Sequence, residues 1–474
     1  MMEQSKRQKL RTAGFSGQTF TNADFELQIQ ERSPSTLKPN KRNARAHSKK
    51  QIRQIADSIQ AFGFNNPILV DEDANVLAGH GRLEAAILLG METVPVVCIS
   101  HLKEAQKRAY ILADNQIARN AGWDSELLAG ELKDLETLLP ELELDLEIIG
   151  FETAEIDILL EDFEDPVSSE QDEDDVLPDI ENVPVARRGD VWQLGRHKVL
   201  CGDARDQDGF TKLLKGRLVD LVITDPPYNV RVQGHVGGRG KTKHSEFAFA
   251  SGEMSDAEFQ KFLQDSLEIM MQQTEPGCLF YVFMDWRHIE VLLSIGRKLG
   301  LALKNICVWN KTNAGQGSFY RSAHELIAVF AKPGGASTNN IQLGKFGRNR
   351  SNVWTFPGAN TFRLSRADPF ALHPTVKPMA MIVEVIKDAS KRNQIVLDPF
   401  LGSGTTLLAA EKTGRCCCGI EYEPKYVDVA IRRWQAITGS DAVLLHSSSG
   451  VDGADEEQVM TFDDRAADIR EAQA

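Results

Sequence analysis

The 474-residue sequence has no apolar run long enough to cross a bilayer. Its opening, MMEQSKRQKLRTAGFSG, is polar and lacks the apolar segment of a secretory signal. Cysteine is scarce: Cys98, Cys201, Cys278, Cys307, Cys416, Cys417 and Cys418. The odd number, spread through mostly apolar surroundings, argues against a disulfide framework and suits a reducing cytoplasm. The Cys416–Cys418 run lacks C-x-x-C spacing, and adjacent side chains on a strand point to opposite faces. These cysteines are therefore expected to be small buried strand residues, and no metal site is expected. Internal repeats are missing. Positive charge is in deficit, with 54 Lys and Arg against 68 Asp and Glu, a net of −14. That balance speaks against a protein coated in nucleic acid, although net charge averages over domains.

The length is enough for two or three domains, each with its own core. Residues 1–26 read as disordered. Residues 27–120 carry a compact α/β pattern: a helix over Ser48–Ala61, short strands over Pro67–Asp71, Asn75–Ala78 and Val94–Ile99, and helices over Leu83–Leu89 and Glu104–Asn115. Residues 121–160 form a leucine-rich helical connector. Residues 161–187 are acidic and interrupted by Pro166, Pro178 and Pro184, as expected of a solvated linker. Strands alternate with helices over 188–439, the pattern of a wound parallel sheet. The expected strands are Val219–Thr224, Cys278–Met284, Asn305–Trp309, Leu326–Ala331, Ile395–Leu397 and Cys417–Ile420. Residues 440–474 read as a polar, acidic tail with at most a loose helix.

The apolar strand at Val219 runs straight into Asp225-Pro226-Pro227-Tyr228. Ligands bind at the carboxyl ends of strands in wound sheets. Two prolines stiffen the chain there and hold a carboxylate, exposed carbonyls and a ring in fixed relation. An exocyclic amine on a base is a poor nucleophile, because its lone pair is delocalised into the ring. Acceptors aimed at its N–H bonds stabilise the charge that develops during attack, and Asp225 with the Pro226 carbonyl can supply them. Tyr228 can stack on a flipped base. Asp225–Tyr228 resembles the catalytic motif of amino-group DNA methyltransferases, which transfer the methyl group directly, without a covalent enzyme intermediate.

A second segment, Val396-Leu-Asp398-Pro399-Phe400-Leu-Gly402-Ser403-Gly404-Thr405-Thr406, is a strand, a glycine loop and a helix start. It resembles the loop that cradles the methionine part of S-adenosylmethionine in that family. Glu421 ends the next expected strand, where an acid can accept both ribose hydroxyls. His373-Pro-Thr-Val-Lys377-Pro378 resembles the H-P-x-x-K-P element lining the cofactor pocket, and the segment around Gly202-Asp203-Ala204 resembles the one that contacts the cofactor's adenine. The catalytic motif precedes the cofactor loop, the circularly permuted order of the beta group. The resemblance spans 188–439 and implies a Rossmann-like α/β methyltransferase sheet. Asp at position 225 is more usual with adenine, so N6 is favoured over cytosine N4. No Pro-Cys pair occurs, which disfavours cytosine C5 chemistry.

Double-stranded DNA is the expected partner. Arg231, Arg239, Lys241 and Lys243 lie in a basic, glycine-rich stretch directly after the catalytic motif, read as a lid over phosphates. Arg348 and Arg350 belong to a second basic stretch, between the two motifs, where the family places target recognition. Residues 27–120 resemble the ParB/sulfiredoxin-like domain through Asn40–Asn43, Gly63–Ile68, Leu77–Ala86 and Val94–Val96. There the segment Gly79, His80, Gly81, Arg82 stands where the family binds nucleotide phosphates, but it departs from the usual G-E-R-R, which puts hydrolysis in doubt. A nucleotide and a second copy of the chain remain open as partners. The setting implied is bacterial or phage restriction-modification. Two other readings stay open: a DNA-organising protein with a non-catalytic methyltransferase fold, and a nuclease–modification fusion.

Overall fold

The protein is described by a computed structural model covering residues 28–142, 144–163, 183–229, 253–312, 320–345, 350–358, 377–447 and 460–472. The chain divides into two compact units, Met1–Leu128 with Glu141–Phe151, and Ala129–Pro140 with Glu152–Ala474.

In the first unit, β1 (Ile29–Arg32) precedes α1 (Lys49–Phe62), β2 (Ile68–Val70), β3 (Val76–Ala78), α2 (His80–Leu88), β4 (Val94–Cys98) and α3 (Glu104–Arg119). The sheet order is β1-β4-β2-β3, with only β2 and β4 parallel. Ser48 caps α1 by accepting the Gln51 N–H, and Ile52 and Ala56 bury its inner face. Helix α2 was expected from Leu83 but begins at His80. Gly79 takes φ 98° as its N-cap, so the glycine–arginine segment is the first turn of the helix. At Gly81 a Cβ would stand 2.9 Å from the Ile55 Cδ1, so α1 packs closely on this turn and a larger residue would have to shift the Ile55 side chain.

The second unit holds α4 (Ser125–Leu138) from Ala129 onward, α5 (Thr153–Phe163), β5 (Val191–Leu194), β6 (His197–Cys201), α6 (Gln207–Leu214), β7 (Val219–Thr224), α7 (Asp256–Gln272), β8 (Thr274–Met284), α8 (Ile289–Lys298), β9 (Ala302–Lys311), β10 (His324–Ala331) and β11 (Val353–Phe356). It continues with α9 (Met379–Ala389), β12 (Ile395–Asp398), α10 (Thr405–Lys412), β13 (Cys416–Glu421), α11 (Pro424–Thr438), β14 (Val443–His446) and α12 (Phe462–Glu471). Among the described residues these strands form one sheet, ordered β11-β9-β10-β8-β7-β12-β13-β6-β5-β14.

The expected parallel sheet is present only at the centre. Strands β8, β7, β12, β13 and β6 run parallel. On either side, β10 and β5 are antiparallel to their neighbours. Period-two alternation splits the core between the two faces: Leu279, Tyr281 and Phe283 of β8 enter one cluster, and Phe280, Val282 and Met284 the other. Cys417 and Cys418 go to opposite faces in the same way, as the spacing predicts.

The tail expected after residue 439 is instead part of this unit. Strand β14 extends the sheet beside β5, and Phe462 of α12 packs edge-on to Trp192, with ring centroids 5.3 Å apart. Phe462, Ala466 and Ile469 recur at helical spacing and make the apolar face that docks. The ion pair Arg465–Asp190 at 2.7 Å closes the contact.

Candidate active site

The parallel strands carry the sequence motifs to one edge of the sheet. Asp225 follows β7, Asp398 ends β12, Glu421 ends β13, and Gly202, Asp203 and Ala204 follow β6. These strands are consecutive neighbours, so each motif is one strand spacing, about 4.8 Å, from the next along the sheet. Gly202 N–H donates to the Glu421 carbonyl at 2.9 Å, tying the β6 and β13 segments together.

Around the cofactor-type motif, the acids hold the backbone. Asp398 accepts from Thr406 Oγ1 at 2.6 Å and from Phe400 N–H at 3.1 Å. Glu421 accepts from Gly402 N–H and Glu423 N–H, both at 2.8 Å. Gly402 and Gly404 take φ 56° and 87°, and a Cβ on Gly404 would lie 2.8 Å from the Ala430 Cβ. Arg433 donates to the Ser403 carbonyl at 2.8 Å, and Phe400 packs edge-on to Phe262. Thr405 begins α10 directly behind the turn. Asp203 is bound by the Arg205 guanidinium at 2.7 Å and 3.0 Å. Burial pushes Asp398 and Glu421 each up to about 7. The Asp225 charge adds to the shift of Asp398, so the two motifs feel one another.

At the neighbouring strand end, Asp225 is held from both sides. Tyr228 donates its hydroxyl to one carboxylate oxygen, and the Lys377 ammonium engages the other. Lys377 is buried, with Pro378 next to it as the N-cap of α9. Its Nζ lies 5.2 Å from the ring centroid of Phe283 and 5.9 Å from those of Tyr228 and Trp309. Sequence reading put Lys377 in the cofactor pocket; its closest charged partner is the carboxylate of the Pro-Pro turn. Burial raises the Asp225 carboxyl above the usual range, and the nearby acid Glu325 adds to this against the pull of Lys377. Burial would lower the Lys377 ammonium, but Asp225 and Glu325 together raise it. Asn229, at φ 52°, exchanges side-chain bonds with the Met254 backbone at 2.9 Å and 3.2 Å and so fixes the exit of the turn.

Three functional candidates were not foreseen. Glu325 is the second residue of β10, Lys311 closes β9, and Trp309 lies beside both; the Trp309 indole donates to the Phe356 carbonyl at 3.0 Å. No local pattern marks them. They reach the site because the antiparallel flank turns the start of β10 and the end of β9 toward the carboxyl edge of β7.

The expected DNA contacts fare differently. Arg231, Arg239, Lys241, Lys243 and Arg348 lie outside the described residues. Arg350 is described, and its guanidinium pairs with Glu384 and, at 2.8 Å, with Asp388 of α9. Two carboxylates already neutralise it, leaving little for a phosphate. In the first unit, His80 Nε2 accepts the Asn40 N–H at 3.2 Å, and Arg82 donates to the Asn66 carbonyl at 2.6 Å. A pocket beside them is lined by Gln51, Ser58, Phe64, Asn66, Arg82 and Ile149.

Residues 219–432 match the family model described as DNA methylase, residues 21–116 that of the ParB N-terminal domain, and residues 126–188 that of the ParB-methyltransferase HTH domain. The chain carries an amino-group DNA methylase domain. A ParB domain stands ahead of its methylase domain, and the helices α4 and α5 fall within the HTH match. The type II methyltransferase M.HpaI of Haemophilus parainfluenzae is 28% identical over 247 residues, 49% of this chain and 73% of that protein. M.HinfI of Haemophilus influenzae is 28% identical over 251 residues, covering 50% and 68%. The solved PvuII DNA methyltransferase (cytosine-N4-specific) aligns with 17% identity and a TM-score of 0.38 over 54% of this chain and 90% of its own. Among the described residues, no helix of this methylase is long and apolar enough to cross a membrane.

Proposed function

We propose that this protein transfers the methyl group of S-adenosylmethionine to an exocyclic amino group of a base in double-stranded DNA, adenine N6 in the first place. The observation that carries the reading is the row of motifs on adjacent parallel strands, with Asp225 one strand from the Asp398–Thr405 turn. The cofactor fits the donor and acceptor set. Glu421 is positioned to accept the ribose hydroxyls, Asp203 and Ala204 to border the adenine, and the Gly402–Thr405 turn to admit the methionine part without a side chain in the way. When bound, S-adenosylmethionine supplies a methyl group whose bond to sulfur breaks as the nitrogen lone pair attacks, the electron pair staying on sulfur.

The chain's own residues prepare the nucleophile. Asp225 and the Pro226 carbonyl accept the two N–H bonds of the target, drawing its lone pair out of conjugation. Pro227 keeps that carbonyl fixed, and Tyr228 offers a face for the extruded base. The ParB-like unit and the HTH segment bring DNA to the methylase, and the first turn of α2 offers Gly79, His80, Gly81 and Arg82 to a nucleotide phosphate.

The test is transfer of label from tritiated S-adenosylmethionine to mixed-sequence duplex DNA. The natural protein is expected to label DNA and Asp225→Ala to lose the activity, with cofactor binding retained. Equal labelling by both would remove Asp225 from the chemistry. Modification-sensitive sequencing of the product then separates N6 from N4.

A further inference from the structure

Four charged groups meet where β7 and β9 end and β10 begins: the carboxylates of Asp225 and Glu325 and the ammoniums of Lys311 and Lys377. Lys311 bonds one oxygen of Glu325 and sits 4.7 Å over the Trp309 ring. The other oxygen, Oε2, is buried and has no hydrogen bond, although Lys377 Nζ is only 3.2 Å away. Lys377 is aligned on Asp225 instead. One ammonium therefore stands between two carboxylates, bonded to one and within reach of an unused acceptor on the other.

This arrangement raises a difficulty for the function proposed above, on which the inference rests. The Asp225 oxygens that should receive the target amino group are taken by Tyr228 and Lys377. An N–H that enters along either occupied direction must displace the donor already there. Expelling a buried ammonium with no second partner would leave an unpaired charge, which is strongly unfavourable. Moving it onto Glu325 costs much less, because the acceptor is already 3.2 Å away and desolvated.

We propose that Glu325 is a positioning residue that receives the Lys377 ammonium when the target amino group takes its place on Asp225. Lys311 keeps Glu325 ionised and oriented for that exchange. The Lys377 and Lys311 charges hold Glu325 below its usual carboxyl range in spite of burial, whereas Asp225 is raised, so Glu325 is the better anion of the two. In its second position Lys377 remains beside Asp225 and favours the ionised carboxylate through methyl transfer.

The experiment uses the full-length chain, tritiated S-adenosylmethionine and mixed-sequence duplex DNA, each variant at its own pH optimum. In Glu325→Gln the ammonium stays on Asp225, and kcat/KM is expected to fall about tenfold, as it would if Asp225 were accessible in about a tenth of the molecules. Lys377→Met combined with Glu325→Gln is expected to exceed Glu325→Gln alone, because no ammonium then competes for Asp225. Glu325→Asp, which keeps the charge, is expected to stay closer to the natural protein. Wild-type kcat/KM in Glu325→Gln, or a double variant no better than Glu325→Gln, would overturn the exchange. Should Glu325→Gln fail to bind cofactor, Lys377→Met alone decides: the acid limb of kcat/KM is expected to move to higher pH, and an unmoved limb would overturn the proposal. Asp225→Ala separates the two readings. Activity in Asp225→Ala defeats the catalytic assignment itself, whereas an inactive Asp225→Ala beside a fully active Glu325→Gln defeats only the exchange.

Discussion

Single residues set the charge state of the cofactor-type site. Burial raises Asp398 and Glu421 to about 7, above their ordinary carboxyl values. Between those ordinary values and about 7 the folded chain holds more protons than the unfolded one. The contribution of these two groups to stability therefore declines as pH rises through that window. A sulfonium and two ribose hydroxyls both favour ionised carboxylates, so cofactor binding should release protons near neutrality. Calorimetric titration is expected to show affinity increasing between about pH 6 and about pH 8, with proton release that depends on the buffer's ionisation enthalpy. A flat affinity with no proton release would contradict the assignment of both acids. At this scale the sequence was informative: the acids that follow β7 and end β12 and β13 are those the motifs named. It was silent on Glu325, because a lone acid before an apolar run has no feature that separates it from a surface glutamate.

At the scale of elements, buried charge fastens the helical segment to the methylase sheet. Asp157 of α5 is fully buried and takes both terminal nitrogens of Arg415 at 3.0 Å and Arg392 at 2.7 Å. Glu136 of α4 receives the other side of Arg392 at 2.8 Å. Arg415 also donates to the Ser390 and Thr413 carbonyls, so its position is overdetermined. Asp157→Ala would leave the buried Arg415 guanidinium without its carboxylate and Arg392 with Glu136 alone. The expected loss of stability is about 3–5 kcal/mol, read as a lower denaturant midpoint, and a loss under about 1 kcal/mol would show that the cluster is not what fastens α5. This was illegible in the sequence. The leucine spacing of residues 125–160 announces helices, but nothing in it says that an aspartate would face inward. Helix α12 was nearer to legible: Thr461 and Asp464 make a capping box ahead of Phe462, Ala466 and Ile469. The surrounding acidic composition concealed it.

For the whole molecule, a net charge of −14 has to be reconciled with a polyanionic substrate. Attraction must then be local, and Arg231, Arg239, Lys241 and Lys243 directly follow the proposed catalytic turn in sequence. Replacing these four by glutamine is expected to weaken DNA binding and to reduce the slope of log affinity against log salt by about 0.9 for each phosphate that is no longer neutralised. The measurement is a titration of fluorescent duplex over a range of salt. An unchanged slope would assign phosphate binding to other surfaces.

The sequence by itself determined the chemistry on offer: the Pro-Pro turn with its carboxylate, the glycine turn behind Asp398, and the strands that end in them. Those are local features, set by residue type and short spacing. Only the tertiary structure decided that the flanking strands run antiparallel, that the chain after residue 439 completes the sheet, and that Lys377 and Glu325 meet Asp225. Each of these depends on contacts between residues far apart in the chain, whose energies come from mutual burial and charge pairing and leave no periodic trace in the segments that make them.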